Sequence, residues 1–124
     1  MPTIVHFDIP ADDIERAKKF YKELFDWDIE AIPGPMEYYN ISTKNEKGEL
    51  GVGGGMGKRQ QQGTGITNYI GVPSVDDYLI KAQNLGAKIV MPKQTVPGFG
   101  YLAVVLDTEN NVIGLWEEDP KAQM

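Results

Sequence analysis

The chain carries one arrangement of residues twice, and that repetition restricts its fold more than any other feature. In "IVHFDI", residues 4 to 9, apolar Val5, Phe7 and Ile9 alternate with His6 and Asp8, the period of a half-buried strand. Pro10 ends this pattern, and Asp12 stands three residues before Glu15 as the cap of a helix. Ile14, Ala17, Phe20, Tyr21, Leu24 and Phe25 then recur at helical spacing, with Lys18, Lys19, Lys22 and Glu23 on the solvated side. The second half repeats the order. "TNYIGV" places Ile70 and Val72 on one face and Thr67, Tyr69 and Gly71 on the other. Pro73 follows, Ser74 and Asp77 form a cap, and Val75, Tyr78, Leu79, Ala82 and Leu85 face inward up to a stop at Gly86.

Each helix is followed by three strand patterns. These are "WDIEAI", "MEYYNIST" and "LGVGGGM" in the first half, and "AKIVMP", "GYLAVVLD" and "VIGLWEE" in the second, with turns at "KNEKGE" and "TENN". We read an internal duplication within one domain spanning 1–124. Its modules cover about 1–57 and 66–124, joined by a Gly- and Gln-rich linker in "GGGMGKRQQQGTG". A helix across one face of each four-stranded sheet buries Val5, Phe7, Ile9, Ile70 and Val72. The opposite faces, with His6, Asp8, Thr67 and Tyr69, then line a cavity if the two sheets join and curl.

Charge and composition narrow the function. Twelve Lys and Arg against 18 Asp and Glu give a net charge of −6, which repels a phosphate backbone, and the small basic cluster of Lys58 and Arg59 has no aromatic neighbours in sequence. No nucleic-acid partner is expected. No apolar run reaches the length of a membrane span, and "MPTIVHF" lacks the features of a secretory signal. With no cysteine, a cytoplasmic location is expected. No cysteine and a single histidine also make a structural zinc site of four Cys or His ligands impossible within the chain. The glycine-rich tract lacks the spacing of a phosphate loop, and "EEDPKAQM" is expected to be a solvated tail.

The stretches "HFDIPADDIERAKKFYKELFDW", "NYIGVPSVDDYLIKAQNLGAKIV" and "VPGFGYLAVVLDTENNVIGLWEE", in that order, resemble the vicinal oxygen chelate superfamily. That superfamily includes glyoxalase I, extradiol dioxygenases and bleomycin-resistance proteins. The resemblance implies an α+β fold of two βαβββ modules making a curved eight-stranded mixed sheet around a cavity. One departure is Asp26, where the family often ends the first helix with glycine; Asp there must enter the left-handed region.

The resemblance also implies one metal ligand, typically His or Glu, on each of four strands. His6 falls at or beside the first position. The second falls near Gly53 and Gly54, the third near Thr67 or Tyr69, and the fourth at Gly114, so one candidate in four carries a ligating side chain. Glu117 is offset from Gly114 by an odd number and is expected on the helix side or in solvent.

No metal or other cofactor is therefore expected. His6 and Asp8 stand as candidate acid–base residues, and Tyr39 (or its neighbour Tyr38), Thr67, Tyr69, Tyr101 and Trp116 as the lining of a small-molecule site. Three readings stay open. The first is a metal-independent binding protein of the glyoxalase and bleomycin-resistance type. The second is a metal-dependent lyase, isomerase or dioxygenase. The third is a metal-free enzyme using His6, with Asp8 or Tyr69, for proton transfer. Exposed sheet edges suggest a homodimer.

Overall fold

Ten elements follow one another in a computed structural model, which describes residues 1–123. They are β1 (Ile4–Ala11), α1 (Ile14–Phe25), β2 (Asp28–Ile32), β3 (Tyr38–Ser42), β4 (Gly53–Lys58), β5 (Thr67–Gly71), α2 (Val75–Asn84), β6 (Lys88–Val96), β7 (Gly100–Leu106) and β8 (Val112–Glu118). The βαβββ order occurs twice, as the repeat requires. The strands hydrogen-bond in the order β2-β3-β4-β1-β5-β8-β7-β6, a mixed sheet in an α+β chain. Among the described residues, 6–66 form one compact unit, and 67–123 with 1–5 form the other.

In the first unit β1 runs parallel to β4, while β3 lies antiparallel to both β4 and β2. Ile9, Ala11, Ile14, Ile29, Ile41 and Met56 make its core, with Phe7, Ala17, Tyr21, Trp27 and Tyr39 packed around them. The Tyr21 and Trp27 rings stack with centroids 5.1 Å apart, which closes the core between helix and sheet. The helix starts one residue later than expected. Asp13 rather than Asp12 caps it, accepting from the Arg16 N–H at 3.0 Å. It stops as the sequence suggested: Asp26 takes a left-handed conformation (φ 58°), and its N–H closes on the Lys22 carbonyl.

Three expectations for this part of the chain need correction. Phe20, Leu24 and Phe25 are more than half exposed, and the α1 residues that join the first core are Ile14, Ala17 and Tyr21. The apolar stripe on the helix is wider than the surface the sheet offers it. Residues 53–56, which fall in both the third strand pattern and the linker as read, belong to the strand, and it runs on through Lys58, with Met56 fully buried. β1 also continues through Pro10, which pairs with Gly57, to Ala11.

The second unit has the same plan. β5 runs parallel to β8, and β7 lies antiparallel to β8 and β6. Val72, Val75, Leu79, Ala103, Val105 and Leu115 form its core. Ser74 caps α2 through the Asp77 N–H, and Glu117 adds a second acceptor for the Val75 N–H at 2.9 Å. Glu117 thus sits on the helix side, where its register put it. Gly86, with φ 104°, follows the helix end.

The N-terminal residues belong here too. The Gly71 N–H donates to the Thr3 carbonyl, and Val5 lies against Gly71. Val5 remains 42% exposed instead of joining a core. Of the expected solvated tail, Glu117 and Glu118 are in β8 and buried Ala122 accepts from the Gly98 N–H, while Met124 lies outside the described residues.

Candidate functional site

In the first unit, strand alternation sends Phe7, Ile9, Tyr39 and Ile41 toward α1, and His6, Asp8 and Tyr38 to the other face. Those last three converge. The Tyr38 hydroxyl donates a hydrogen bond to Asp8 Oδ1. His6 Nε2 lies 3.2 Å from the same carboxylate oxygen and 3.2 Å from the Tyr38 hydroxyl. A carboxylate can only accept, so Nε2 carries the proton in its contact with ionised Asp8. The side chains of His6 and Asp8 are 36% and 35% exposed, which leaves the cluster reachable from solvent.

Glycine makes this arrangement possible. Asp8 pairs with Gly55 across the β1–β4 ladder, and Tyr38 pairs with Gly57 across β3–β4. The Tyr38 ring crosses β4 diagonally over these two glycines: a Cβ at Gly55 would overlap its hydroxyl, and one at Gly57 would come within 3.3 Å of its Cδ1. Any larger residue at position 55 would push the phenol away from Asp8 and His6.

The second unit meets the same problem differently. Tyr69 lies five residues before the Ser74 cap, as Asp8 lies five before the Asp13 cap, and it too pairs with a glycine, Gly114. Its own ring covers that glycine, where a Cβ would overlap the ring carbons. Tyr69 is only 8% exposed. Thr67 and Trp116 share the face of Tyr69, opposite the core residues Ile70 and Leu115.

Two of the expected lining residues lie elsewhere. Tyr39 packs against the first core with Lys18 over its ring, and its hydroxyl donates to Glu37 at 3.1 Å. That hydrogen bond, with burial and the charges of Glu37 and Glu15, raises its phenol above the usual value. Tyr101 packs on the α2 side, under Lys93, and reaches Asp119. Both are turned by the alternation that places Ile41 and Ala103 in the cores. Tyr38, left undecided against Tyr39 by the sequence, is the residue that joins His6. The signal was present: Tyr39 and Ile41 share a parity, and Ile41 is the one aliphatic residue of β3.

The donor set does not fit the four-ligand metal site that the resemblance implies. Gly53 lies opposite His6, and Gly54 faces the helix side beneath Phe7. The room for a side chain at Gly55 or Gly114 is taken by a tyrosine. Among the described residues no three His, Cys, Asp or Glu side chains come together as a metal site. A separate cavity of about 310 Å³ opens beside the start of α1, lined by Asp12, Asp13, Ile14, Glu15, Glu37 and Lys58. Its carboxylates cap the helix or pair with Arg59, Lys18 and Tyr39, so it does not include the cluster. Among the described residues no helix is long and apolar enough to cross a membrane.

Comparisons with known proteins agree with this architecture. A family model for the bleomycin resistance protein-like N-terminal domain matches residues 3–43. CFP32, designated a glyoxylase, from Mycobacterium bovis and Mycobacterium tuberculosis is 28% identical over 113 residues. That match takes in 89% of this chain but 43% of CFP32, so the chain spans less than half the length of these relatives.

Among solved structures, a glyoxalase/bleomycin resistance protein/dioxygenase superfamily member from Vibrio splendidus superposes with TM-score 0.68 at 11% identity, covering 95% of this chain and 100% of that one. A Streptomyces coelicolor methylmalonyl-CoA epimerase variant reaches 0.69 at 10% identity, over 98% of each chain. The hypothetical protein BH1468 of Bacillus halodurans reaches 0.67 at 14%, over 99% of each. The resemblance first read from the sequence therefore holds: this chain has the fold of the glyoxalase/bleomycin resistance/dioxygenase superfamily.

Proposed function

We propose that the chain is a metal-independent small-molecule binding protein of the glyoxalase and bleomycin-resistance type, and that its ligand contacts His6, Asp8 and Tyr38. The observation that carries this reading is that glycine stands at Gly114 and from Gly53 to Gly55, where the resemblance implies ligands at Gly114 and near Gly53 and Gly54, and that tyrosine rings cover Gly55 and Gly114. A phenol, an imidazole and a carboxylate side by side offer donors and an acceptor for a polar group on the ligand, and the aromatic ring offers apolar area. No cofactor is needed for this. The same three groups also favour a second reading, metal-free proton transfer, because each can hold or pass a proton.

The test is ligand-observed NMR with a panel of small carbonyl and aromatic compounds, run with and without a chelator. The reading expects binding that survives chelation and weakens about tenfold or more when Tyr38→Phe or His6→Ala removes a partner. Binding that vanishes with chelator would refute it.

We further propose that the chain acts as a cytoplasmic homodimer. The exposed Phe20, Leu24 and Phe25 on α1 support a self-association surface. Sedimentation equilibrium of wild type and Phe20→Glu would show a dimer and a monomer respectively; a monomeric wild type would contradict the proposal.

A further inference from the structure

Building on the binding site just proposed, we infer that Tyr38 and Asp8 act as an acid–base pair that interconverts the keto and enol forms of a neutral aldehyde or ketone, with His6 as a positioning residue. Two features of the cluster carry the inference. The Tyr38 hydroxyl donates to Asp8, and His6 Nε2 lies 3.2 Å from each of the two groups. The ligand class follows from charge. Asp8 and a net charge of −6 disfavour carboxylate or phosphate compounds, whereas a neutral carbonyl oxygen accepts well from a phenol.

The step balances within the cluster. The ionised Asp8 takes a proton from the carbon next to the carbonyl, the C–H electron pair becomes the carbon–carbon double bond, and the carbonyl π pair moves onto oxygen. That oxygen takes the Tyr38 hydroxyl proton and becomes an enol. Asp8 is now a neutral acid and Tyr38 a phenolate, and the acid proton passes along their existing hydrogen bond to restore both. No co-reactant is consumed.

Two physical terms favour the step. A hydrogen bond to a charged carboxylate is stronger than one to a neutral acid, so Asp8 loosens its hold on the Tyr38 hydroxyl as charge builds on the ligand oxygen. A phenol hydroxyl positioned at the carbonyl oxygen can pass its proton to the oxygen as the enol forms. His6 Nε2, within 3.2 Å of both partners, fixes their orientation. Gly55 supplies the space in which the phenol lies.

The experiment follows carbon-bound hydrogen in hydroxyacetone and in phenylacetone by proton NMR in D2O with the intact chain and EDTA present. The inference expects protein-accelerated exchange that falls about 100-fold in Asp8→Asn and in Tyr38→Phe. Tyr38→Phe keeps the ring over Gly55 and removes only the hydroxyl, so a folded protein with lost exchange assigns the effect to the phenol. His6→Gln is expected to slow exchange by a smaller factor. Saturation-transfer spectra of the same samples separate the two proposals. Binding without exchange, or exchange untouched by Tyr38→Phe, overturns this inference and leaves the binding site standing. Neither binding nor exchange overturns both.

Discussion

The two modules share a plan but differ at one position, and the difference locates the chemistry. Five residues before each helix cap a side chain faces a glycine on the parallel neighbour strand: Asp8 faces Gly55 in the first module, and Tyr69 faces Gly114 in the second. In the second module the space above the glycine is filled from the same position, by the buried Tyr69 ring, and the result is packing. In the first it is filled from β3, by Tyr38, which leaves Asp8 free to be polar and delivers a hydroxyl to it. A duplicated backbone thus carries a buried tyrosine ring in one copy and a part-exposed cluster of Tyr38, Asp8 and His6 in the other.

Adding a methyl group at each glycine should break this comparison most sharply. Gly114→Ala forces a Cβ into the carbons of a buried ring, and we expect a loss of about 1–3 kcal/mol by urea unfolding. Gly55→Ala meets the far end of the half-buried Tyr38, which can swing outward, so stability should change by less than about 1 kcal/mol. Ligand binding at the cluster should nevertheless fail. Equal destabilisation at the two sites would show that the modules do not differ as described.

Next in size are the helix starts. α2 has two acceptors at its N-terminus, Ser74 and Glu117, where α1 has the Asp13 side chain. Glu117→Ala leaves the N–H of fully buried Val75 without its acceptor and should cost about 1–2 kcal/mol. Asp13→Ala, losing a more exposed cap, should cost about 1 kcal/mol. Denaturant midpoints of the two variants check the order.

Smaller again is Tyr38→Phe. It gives up hydrogen bonds in a part-exposed cluster and should cost about 0.5–1.5 kcal/mol while keeping the fold, as read by the same unfolding curve.

The smallest effect concerns the β7–β8 turn. Backbone N–H groups of Asn111 and Glu109 hold the Asp107 carboxyl below its usual value of 3.8. A depressed carboxyl stabilises the fold above its unfolded value and loses that contribution as the pH falls through the folded one. Asp107→Asn should therefore lower stability slightly above about pH 4, where the wild type holds this contribution, and leave the two proteins nearly equal at lower pH, so that the acid limb of the stability–pH curve is flatter in the variant.

Much of the fold was legible because its signals are local. Strand alternation placed His6 and Asp8 on one face, Ser74 on a helix start, and Glu117 on the helix side. What was hidden depends on contacts between strands distant in sequence. Where the strand in "LGVGGGM" ends and the linker begins is hidden until Tyr38 and Phe7 are seen to lie over the glycines of β4. Phe20, Leu24 and Phe25 read as core because helical spacing reveals an apolar stripe but not the width of the sheet beneath it. The site was half legible for the same reason. His6 and Asp8 are neighbours on one strand, whereas Tyr38 reaches them only through the β1–β4–β3 ladders and the room left by Gly55.

The most direct test of the account is the metal content of tag-free protein incubated with Ni, Zn, Mn, Co and Fe, desalted, and measured by mass spectrometry. A cluster of one histidine, one aspartate and a tyrosine hydrogen-bonded to one another predicts no stoichiometric retention of any of these ions. Retention of one ion per chain, lost on His6→Ala, would contradict the account and restore a metal-dependent chemistry to this face.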